Sequence, residues 1–431
     1  MKTLFKNADI LVFENGIYSV IKNTYLAVDG DKISYIGKDF PDGKIDITKD
    51  MTGKLLMSGF YNCHNHCPMV LLRGVGSDLP LNEWLFNKVF PIEDKLTADE
   101  IYAGTNLALL EMLACGTVSF SDMYFEPQVT AKAVAEAGMK ANLTRPVQSF
   151  DPDEEAKDSF RIAQSIELYN EWNNAADGRI LIDFSIHAEY TCTEKIARAY
   201  SEECNKRTGL MHIHLSETVK EHNECKEKYG KTPTQWFNDL GAFDSRAFAA
   251  HCVTLEDSDM EILLSKGVNV VHNPSSNMKL GSGFAKVQKM LDMGINVALG
   301  TDGAASNNNL DMVEEMHLAS IIHNGYSQDA TIMNADTVIK MATLNGAKLQ
   351  GRDDCGELKV GNKADIIAIS LDKPHLRPVI DEKALITYSA QSSDVCMTMV
   401  DGKILYENGE YTTLDKEKIY FDVEKAIKKL Y

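Results

Sequence analysis

The sequence predicts an α/β protein: a (β/α)8 TIM barrel with a small β-sandwich domain formed from both ends of the chain. Three observations predict this fold. Short apolar runs alternate with helical patterns through the middle of the chain, no glycine-rich phosphate loop follows the first run, and both ends carry hairpin signals. An open doubly wound sheet is the alternative, and the missing phosphate loop disfavours it.

Eight apolar runs are the candidate barrel strands, and polar residues follow most of them. In chain order they are the run before His64 and residues 117–120, 141–143, 180–186, 211–215, 248–250, 268–271 and 295–299.

Helical patterns separate these strands. Thr97 and Glu100 have the spacing of a capping box, and the helix that they begin is expected to end at Gly116. A second, shorter helix is expected over residues 284–293, where Gly294 follows. Repeated strand–helix alternation is typical of a parallel barrel.

The two ends of the chain show strand patterns of another kind. Residues 26–37 alternate around Asp29-Gly30, and residues 397–406 alternate around Asp401-Gly402. An Asp-Gly pair between alternating strands is a strong hairpin signal. Residues 415–431 form a charged helical pattern.

These patterns divide the chain into three parts. Residues 1–57 are expected to form the first part of the small β domain, residues 58–350 the (β/α)8 barrel, and residues 351–431 the second part of the small domain plus a C-terminal helix.

Composition excludes several classes of protein. The 431 residues include 44 Lys and Arg against 63 Asp and Glu, a net charge of −19, which argues against nucleic acid or an anionic membrane as partner. There is no apolar run long enough for a signal peptide or a transmembrane helix. The nine cysteines form no CxxC pair, so a disulfide-free cytoplasmic protein is expected.

Histidines are concentrated where barrel strands end. Catalytic groups of this fold lie at the C-terminal ends of the strands. Six of the eleven histidines lie at or just beyond predicted strand ends: His64, His66, His187, His214, His251 and His272.

His64 and His66 are the sharpest local signal. Residues i and i+2 of a strand point to the same face, so both imidazoles can reach one metal ion. A lone pair at this spacing is more often part of a packed core, but His214 and Asp302 end two later strands. Three imidazoles and one carboxylate make a catalytic site for a divalent ion with one open position.

Two further positions, His212 and the end of strand four, decide how this ligand set is interpreted. His212 precedes His214 by two residues but lies deeper in its strand, so packing inside the barrel is the expected role of His212. Barrel hydrolases with two metals commonly need a lysine at the end of strand four, and here that strand ends at His187 without one. One metal ion per subunit is therefore expected.

Three residues near these ligands suit proton transfer. Asp302 can hold the metal with one oxygen and take a proton from water with the other. Glu217 can protonate a ring nitrogen, and His251 can hydrogen-bond the attacking hydroxide. A metal lowers the pKa of its water to about 7, so hydroxide exists at neutral pH. A structural histidine is the alternative for His251.

Several stretches resemble the amidohydrolase superfamily, and within it most resemble the 5-methylthioadenosine/S-adenosylhomocysteine deaminases. Residues 56–66 resemble the first-strand motif of the superfamily, and the resemblance covers essentially the whole chain. The other supporting stretches are residues 29–37, 69–74, 91–93, 272–280, 300–307 and 356–365.

This resemblance implies roles for further residues. Glu93 is expected to bind the ribose hydroxyls, and His187 and Glu217 to contact the purine. Arg145 and Arg161 are expected to reach the amino-acid carboxylate of S-adenosylhomocysteine, for which arginine is well suited. Asp302 completes the expected substrate-binding set. A surface acid is the alternative for Glu93, and solvated surface charges are the alternative for the arginines.

The chain departs from the family pattern at three positions. Glu189 stands where proline is usual, Asn65 where threonine is common, and Pro146 where glycine is common. None of them belongs to the predicted metal site. They concern the substrate tail and the loop that covers it.

The predicted function is hydrolytic deamination of the adenine ring of S-adenosylhomocysteine, 5-methylthioadenosine or adenosine, at a C–N bond of a cyclic amidine, with release of ammonia. Zn²⁺ is the expected cofactor and Fe²⁺ the alternative. The expected partner is a small nucleoside, and a homo-oligomer remains open. An aminohydrolase or chlorohydrolase of guanine, cytosine or an s-triazine is the competing function, followed by a non-catalytic, metal-bound interaction protein.

Overall fold

A computed structural model describes residues 1–431, the side chain of Asn82 set aside, and it confirms the predicted barrel. Its parallel strands are largely buried. This is expected in a barrel, because helices cover the outer face of the strands and side chains fill the interior. The eight barrel strands are Phe60–Asn65, Thr117–Met123, Lys140–Thr144 continued by Pro146–Val147, Ile180–Ile182 continued by Phe184–Ile186, Met211–Leu215, Ala247–His251, Asn269–His272 and Val297–Leu299.

Hydrogen bonds between the first strand and the end of the eighth close the barrel. The backbone N–H of Asp302 donates to the carbonyl of His64 at 2.9 Å. The side chain of Asn62 donates to Oγ1 of Thr301 at 2.7 Å and accepts the N–H of Thr301 at 3.0 Å. This closure places His64 and Asp302 side by side, although 238 residues separate them in the chain.

Helices alternate with the barrel strands as predicted. The capping box is present, with the Thr97 N–H donating to Glu100 at 2.9 Å. The predicted second helix is shorter than expected, because Phe284 stacks on Tyr326 at 4.5 Å instead of joining its first turn. The helices up to residue 350 are Leu81–Trp84, Phe90–Glu93, Ala98–Ala114, Pro127–Ala137, Phe160–Trp172, Ala175–Gly178, Glu194–Asn205, Val219–Tyr229, Pro233–Asp239, Asp257–Lys266, Pro274–Lys279, Val287–Met293, Met312–Ser327, Ala335–Ala342 and Leu344–Leu349.

Both ends of the chain contribute to one nine-stranded sheet with its own apolar core. Both predicted hairpins are present, and their turns touch: a Cβ on Gly402 would lie 2.0 Å from the carbonyl oxygen of Gly30. Only glycine fits there. The strands are Lys2–Glu14, Ile17–Asp29, Lys32–Gly37, Ile47–Asp50, Lys54–Ser58, Ile366–Ser370, Val395–Val400, Lys403–Glu407 and Glu410–Tyr411.

The C-terminal helix Lys416–Leu430 packs against the barrel helix Ala98–Ala114. Nζ of Lys429 lies 2.8 Å from the carboxylate of Glu100, and Leu430 shares an apolar cluster with the residues after the first barrel strand. This last helix therefore covers part of the barrel surface. We propose that the domains divide at residues 57 and 350, as the sequence predicts. Within the described residues, the longest apolar helices fall short of what crossing a membrane requires.

Candidate active site

The structure brings together the four residues that the sequence predicts as metal ligands. Nε2 of His64 lies 3.3 Å and Nε2 of His66 lies 3.1 Å from Oδ1 of Asp302. One donor atom from each of His64, His66 and His214 lies within 4.8 Å of the other two. The cluster is buried at the C-terminal ends of the first, fifth and eighth strands.

Hydrogen bonds on the far side of each ligand orient it toward the centre of the cluster. Nδ1 of His66 donates to the carbonyl of Met123 at 2.6 Å, and Nδ1 of His214 donates to the carbonyl of His187 at 2.8 Å. When each ring is neutral, its lone pair therefore lies on Nε2. Burial opposes a charge on His66, but its hydrogen bond to Asp302 and the charge of Asp302 raise the pKa of His66 to about 9, so a cation there displaces its proton.

Asp302 is oriented in the same way by two hydroxyl groups. Its Oδ2 accepts hydrogen bonds from Ser276 and Ser306, both at 2.7 Å. Oδ1 is thereby the oxygen that faces the histidines.

The donor set fits a divalent cation. Nε2 of His64 is buried and has no hydrogen-bond partner among the described residues. Burial lowers the pKa of His64 to about 4 and that of His214 well below its usual range, so both rings are neutral and able to bind metal. Three imidazole nitrogens with one carboxylate oxygen suit zinc and similar ions.

Three strand ends at this site have left-handed backbones. Ser216, His251 and Asp302 have φ angles of 47°, 71° and 62°. Such conformations cost about 1–3 kcal/mol each in residues other than glycine, and they persist where the surrounding structure requires them. Here they occur where the chain leaves a strand and presents Glu217, His251 and Asp302.

Glu217 and His251 form the proton-transfer side of the site. Nε2 of His251 lies 4.0 Å from Oε2 of Glu217. Burial, assisted by the charge of Asp302, raises the pKa of Glu217 above its usual range. A carboxyl group with a raised pKa holds its proton to higher pH than a free one and can donate it.

Glu93 lies on the wall of the same pocket, with Tyr124 beside it. The Tyr124 hydroxyl donates to Oε1 of Glu93 at 2.6 Å. Burial raises the pKa of Glu93 to about 7, while the bond from Tyr124 opposes the increase. His187 lines this pocket too, and burial lowers its pKa, so its ring is neutral.

Arg145 and Arg161 do not join the cluster but line an adjoining outer pocket of about 410 Å³. Arg145 donates through Nε to Gln164 and through Nη1 to the carbonyl of Pro146, both at 2.7 Å. Arg161 stacks on Phe160 at 4.6 Å, and its buried Nε has no hydrogen-bond partner among the described residues. Burial and the charge of Arg161 lower the pKa of Arg145 to about 10.

The inner and outer pockets adjoin each other. They share the side chains of Phe90, Glu93, Phe125 and Gln148. Glu93 therefore lies between the pocket of the cluster and the pocket of the two arginines.

The residues that depart from the family pattern also lie near the site. Glu189 is buried beside Glu221, and burial together with their mutual repulsion raises the pKa of Glu189. Glu221 accepts the backbone N–H of Glu217 at 2.8 Å, so this acidic pair supports the segment that carries Glu217. Pro146 lies within the third strand, opposite Ser185.

Sequence reasoning missed several functional contacts. His212 was expected only to pack, yet its Nε2 lies 2.8 Å from Nδ1 of His64. Asn277 accepts the Nδ1–H of His251 at 2.9 Å. The roles of Tyr124, Ser276 and Ser306 were also missed. The two serines and Asn277 lie inside stretches that resemble the family, and this was the one available signal.

Comparisons with known proteins agree with this geometry. The profile of the amidohydrolase family matches residues 55–405. A 5-methylthioadenosine/S-adenosylhomocysteine deaminase of Acetivibrio thermocellus is 45% identical, covering 100% of both chains. A 5'-deoxyadenosine deaminase of Methanosarcina acetivorans is 41% identical, covering 99% of this chain and 98% of that protein. The crystal structure of a zinc-bound adenosine deaminase from Xanthomonas campestris superposes with a TM-score of 0.93 at 29% identity, covering 99% of this chain and 98% of that one.

Proposed function

The chain belongs to the amidohydrolase family, and from this premise we propose that it deaminates the adenine ring of S-adenosylhomocysteine, 5-methylthioadenosine or adenosine by hydrolysis, releasing ammonia. The observation that carries the proposal is the position of Glu93, which lines one pocket with the histidine cluster and Glu217. The names of the relatives support the same chemistry.

His64, His66, His214 and Asp302 are the proposed ligands of one divalent ion. Zn²⁺ is the first choice, because a related structure contains it and the donor set suits it, and Fe²⁺ is the alternative. When bound, the ion supplies hydroxide at neutral pH by lowering the pKa of water.

The residues around the cluster would carry the proton transfers. Glu217, whose pKa burial raises, donates a proton to N1 of the adenine ring. Asp302 accepts one proton of the attacking water and passes it to the departing ammonia. As the C6–N bond breaks and the C6 carbonyl forms, the remaining hydroxyl proton returns to Glu217. His251, anchored by Asn277, hydrogen-bonds the attacking oxygen and fixes its direction. His187 contacts the purine from the pocket wall.

The rest of the substrate would extend from the inner pocket to the adjoining outer pocket. The carboxylate of Glu93 accepts hydrogen bonds from both ribose hydroxyls, with Tyr124 holding it in place. The homocysteine carboxylate of S-adenosylhomocysteine reaches the outer pocket, which Arg145 and Arg161 line. Glu126 also lines this pocket, and its charge acts on Arg145. Two neighbouring guanidinium groups suit a carboxylate.

Ammonia release from a substrate panel tests the proposal. The zinc-loaded protein is assayed with S-adenosylhomocysteine, 5-methylthioadenosine, 5'-deoxyadenosine, adenosine, guanine, cytosine and an aminated s-triazine. We expect the nucleosides to be substrates, because Glu93 needs a ribose diol. Turnover of free bases or triazines alone would favour the competing heterocycle hydrolase. No ammonia from any compound would favour the interaction protein.

The remaining predictions concern the partners, the location and the oligomeric state of the protein. The partner is a small nucleoside, in agreement with the names of the relatives. The cytoplasmic location, the absence of nucleic acid and membrane partners, and homo-oligomer formation stay predictions.

A further inference from the structure

We propose that His212 is a positioning residue for the metal site, because it holds His64 in the tautomer whose Nε2 lone pair faces the cluster. The inference rests on the proposed metal site and adds to it a residue that contacts neither metal nor substrate.

The contact between the two rings is direct and buried. Nε2 of His212 lies 2.8 Å from Nδ1 of His64, and neither ring is exposed to solvent. The rings are nearly perpendicular, with an interplanar angle of 80°. His212 is held in turn by Phe248, whose ring stacks on it at 4.1 Å. The strand Met211–Leu215 thus presents His214 to the cluster and His212 to the back of His64.

The proton between the two rings decides whether His64 can bind metal. A neutral imidazole carries one N–H, so only one of the two facing nitrogens donates. If His64 donates from Nδ1, its Nε2 has a free lone pair. If His212 donates, the proton of His64 lies on Nε2, which then cannot bind a cation. Metal binding therefore requires His212 to be the acceptor.

His64 differs from the other two histidines in this dependence. The Nδ1 atoms of His66 and His214 face backbone carbonyls, which only accept. The Nδ1 atom of His64 faces a side chain that can either donate or accept. The Nδ1 atom of His212 has no partner among the described residues, so the contact with His64 alone decides which nitrogen of His212 carries the proton. One substitution can therefore isolate the effect.

Zinc affinity of two variants tests the proposal. His212→Leu removes the acceptor, whereas His212→Gln supplies an amide oxygen that can accept from His64. Residues that orient a metal ligand typically contribute about 10–100-fold to affinity. We expect His212→Leu to weaken Zn²⁺ binding by about that factor, and His212→Gln to retain most of the affinity. The measurement is competition with a zinc chelator on the metal-free full chain.

His323→Leu is the matched control. His323 and His272 form a second buried pair, with 2.9 Å between their Nε2 atoms, and neither ring belongs to the cluster or lines its pocket among the described residues. This variant loses a similar imidazole contact and should keep the wild-type zinc affinity. Wild-type affinity in folded His212→Leu would overturn the proposal, as would equal losses in His212→Leu and His212→Gln.

A measurement on the wild type covers the case in which His212→Leu does not fold. In the ¹⁵N spectrum of the zinc-loaded protein with labelled histidines, His212 should carry its proton on Nδ1. A proton on its Nε2 would overturn the proposal. Either failure leaves ammonia release by the wild type intact, whereas failure of the proposed function would remove it. The two outcomes are therefore distinguishable.

Discussion

Nε2 of His251 and Oε2 of Glu217 face each other at 4.0 Å, and each group is held from its other side by one residue. Asn277 accepts the Nδ1–H of His251 at 2.9 Å, and Ser282 donates to Oε1 of Glu217 at 3.5 Å. Both groups are buried and line one pocket. Protonation of a ring nitrogen of a bound substrate and attack on the adjacent ring carbon can therefore occur side by side.

Glu217→Gln is expected to remove most of the turnover while zinc content stays normal. An amide cannot transfer the proton, and general acid–base groups contribute about 10²–10⁴-fold. The measurements are kcat on the best substrate and metal content of the same sample. Glu224→Gln, on the exposed face of the next helix, is the control. A near-wild-type kcat in Glu217→Gln would contradict the assignment.

Removal of metal is expected to abolish activity, and one equivalent of Zn²⁺ per chain should restore it. The fourth strand ends at Ile186, and the pocket beside it presents His187 and no lysine among its described lining residues. The measurement is metal analysis together with titration of the metal-free protein. Two tightly held ions in the fully active protein would disprove a single-metal site.

The barrel could be predicted because its strands are short, apolar and followed by polar residues. The exception is the third strand, which the sequence ends at Arg145 and the structure continues through Pro146 and Val147. Proline rarely lies inside a sheet, so no pattern predicts that continuation. Pairing with the fourth strand opposite Ser185 stabilises it.

The cluster of proposed metal ligands could be predicted because its members lie at the ends of three strands of one barrel, and barrel geometry brings such ends together. The contact between Tyr124 and Glu93, on the wall of the same pocket, could not be predicted from the sequence. Tyr124 follows the second strand, and an aromatic residue at a strand end is usually interpreted as core. Its contact with Glu93 joins the end of this strand to the end of the helix Phe90–Glu93, and only the folded chain shows it.

Tyr124→Phe is expected to raise the pH below which substrate binding weakens. In the proposed contact Glu93 accepts both ribose hydroxyls only when ionised, and burial raises its pKa to about 7. The KM for adenosine should therefore rise as pH falls through about 7, where Glu93 takes up a proton. The bond from Tyr124 lowers this pKa, so its loss raises the pKa, and the rise in KM begins at higher pH.

The measurement is the pH dependence of KM and kcat for both proteins. Tyr102→Phe is the matched control, because Tyr102 donates to Glu136 away from the pocket. Identical KM profiles for Tyr124→Phe and the wild type would contradict the role of Glu93.

The last prediction concerns the outer pocket. Arg145 is tied to Gln164 and Pro146, whereas the Nε of Arg161 is buried without a partner among the described residues, which makes Arg161 the freer of the two. A hydrogen bond to a charged group contributes about 1.5–3 kcal/mol, and about 1.4 kcal/mol is a factor of ten. The kcat/KM for S-adenosylhomocysteine should therefore be roughly tenfold or more above the kcat/KM for adenosine, provided the contact persists in the transition state.

Arg161→Met should remove most of this preference and leave adenosine turnover little changed, because adenosine has no carboxylate to reach the outer pocket. The measurement is kcat/KM for both substrates, with Arg198→Met on an exposed helix face as control. Equal use of both substrates by the wild type, or equal loss of both in Arg161→Met, would disprove the carboxylate role. The pocket would then suit a shorter or neutral 5' group, and the Pro146 and Glu189 surroundings would be the first place to look for its contacts.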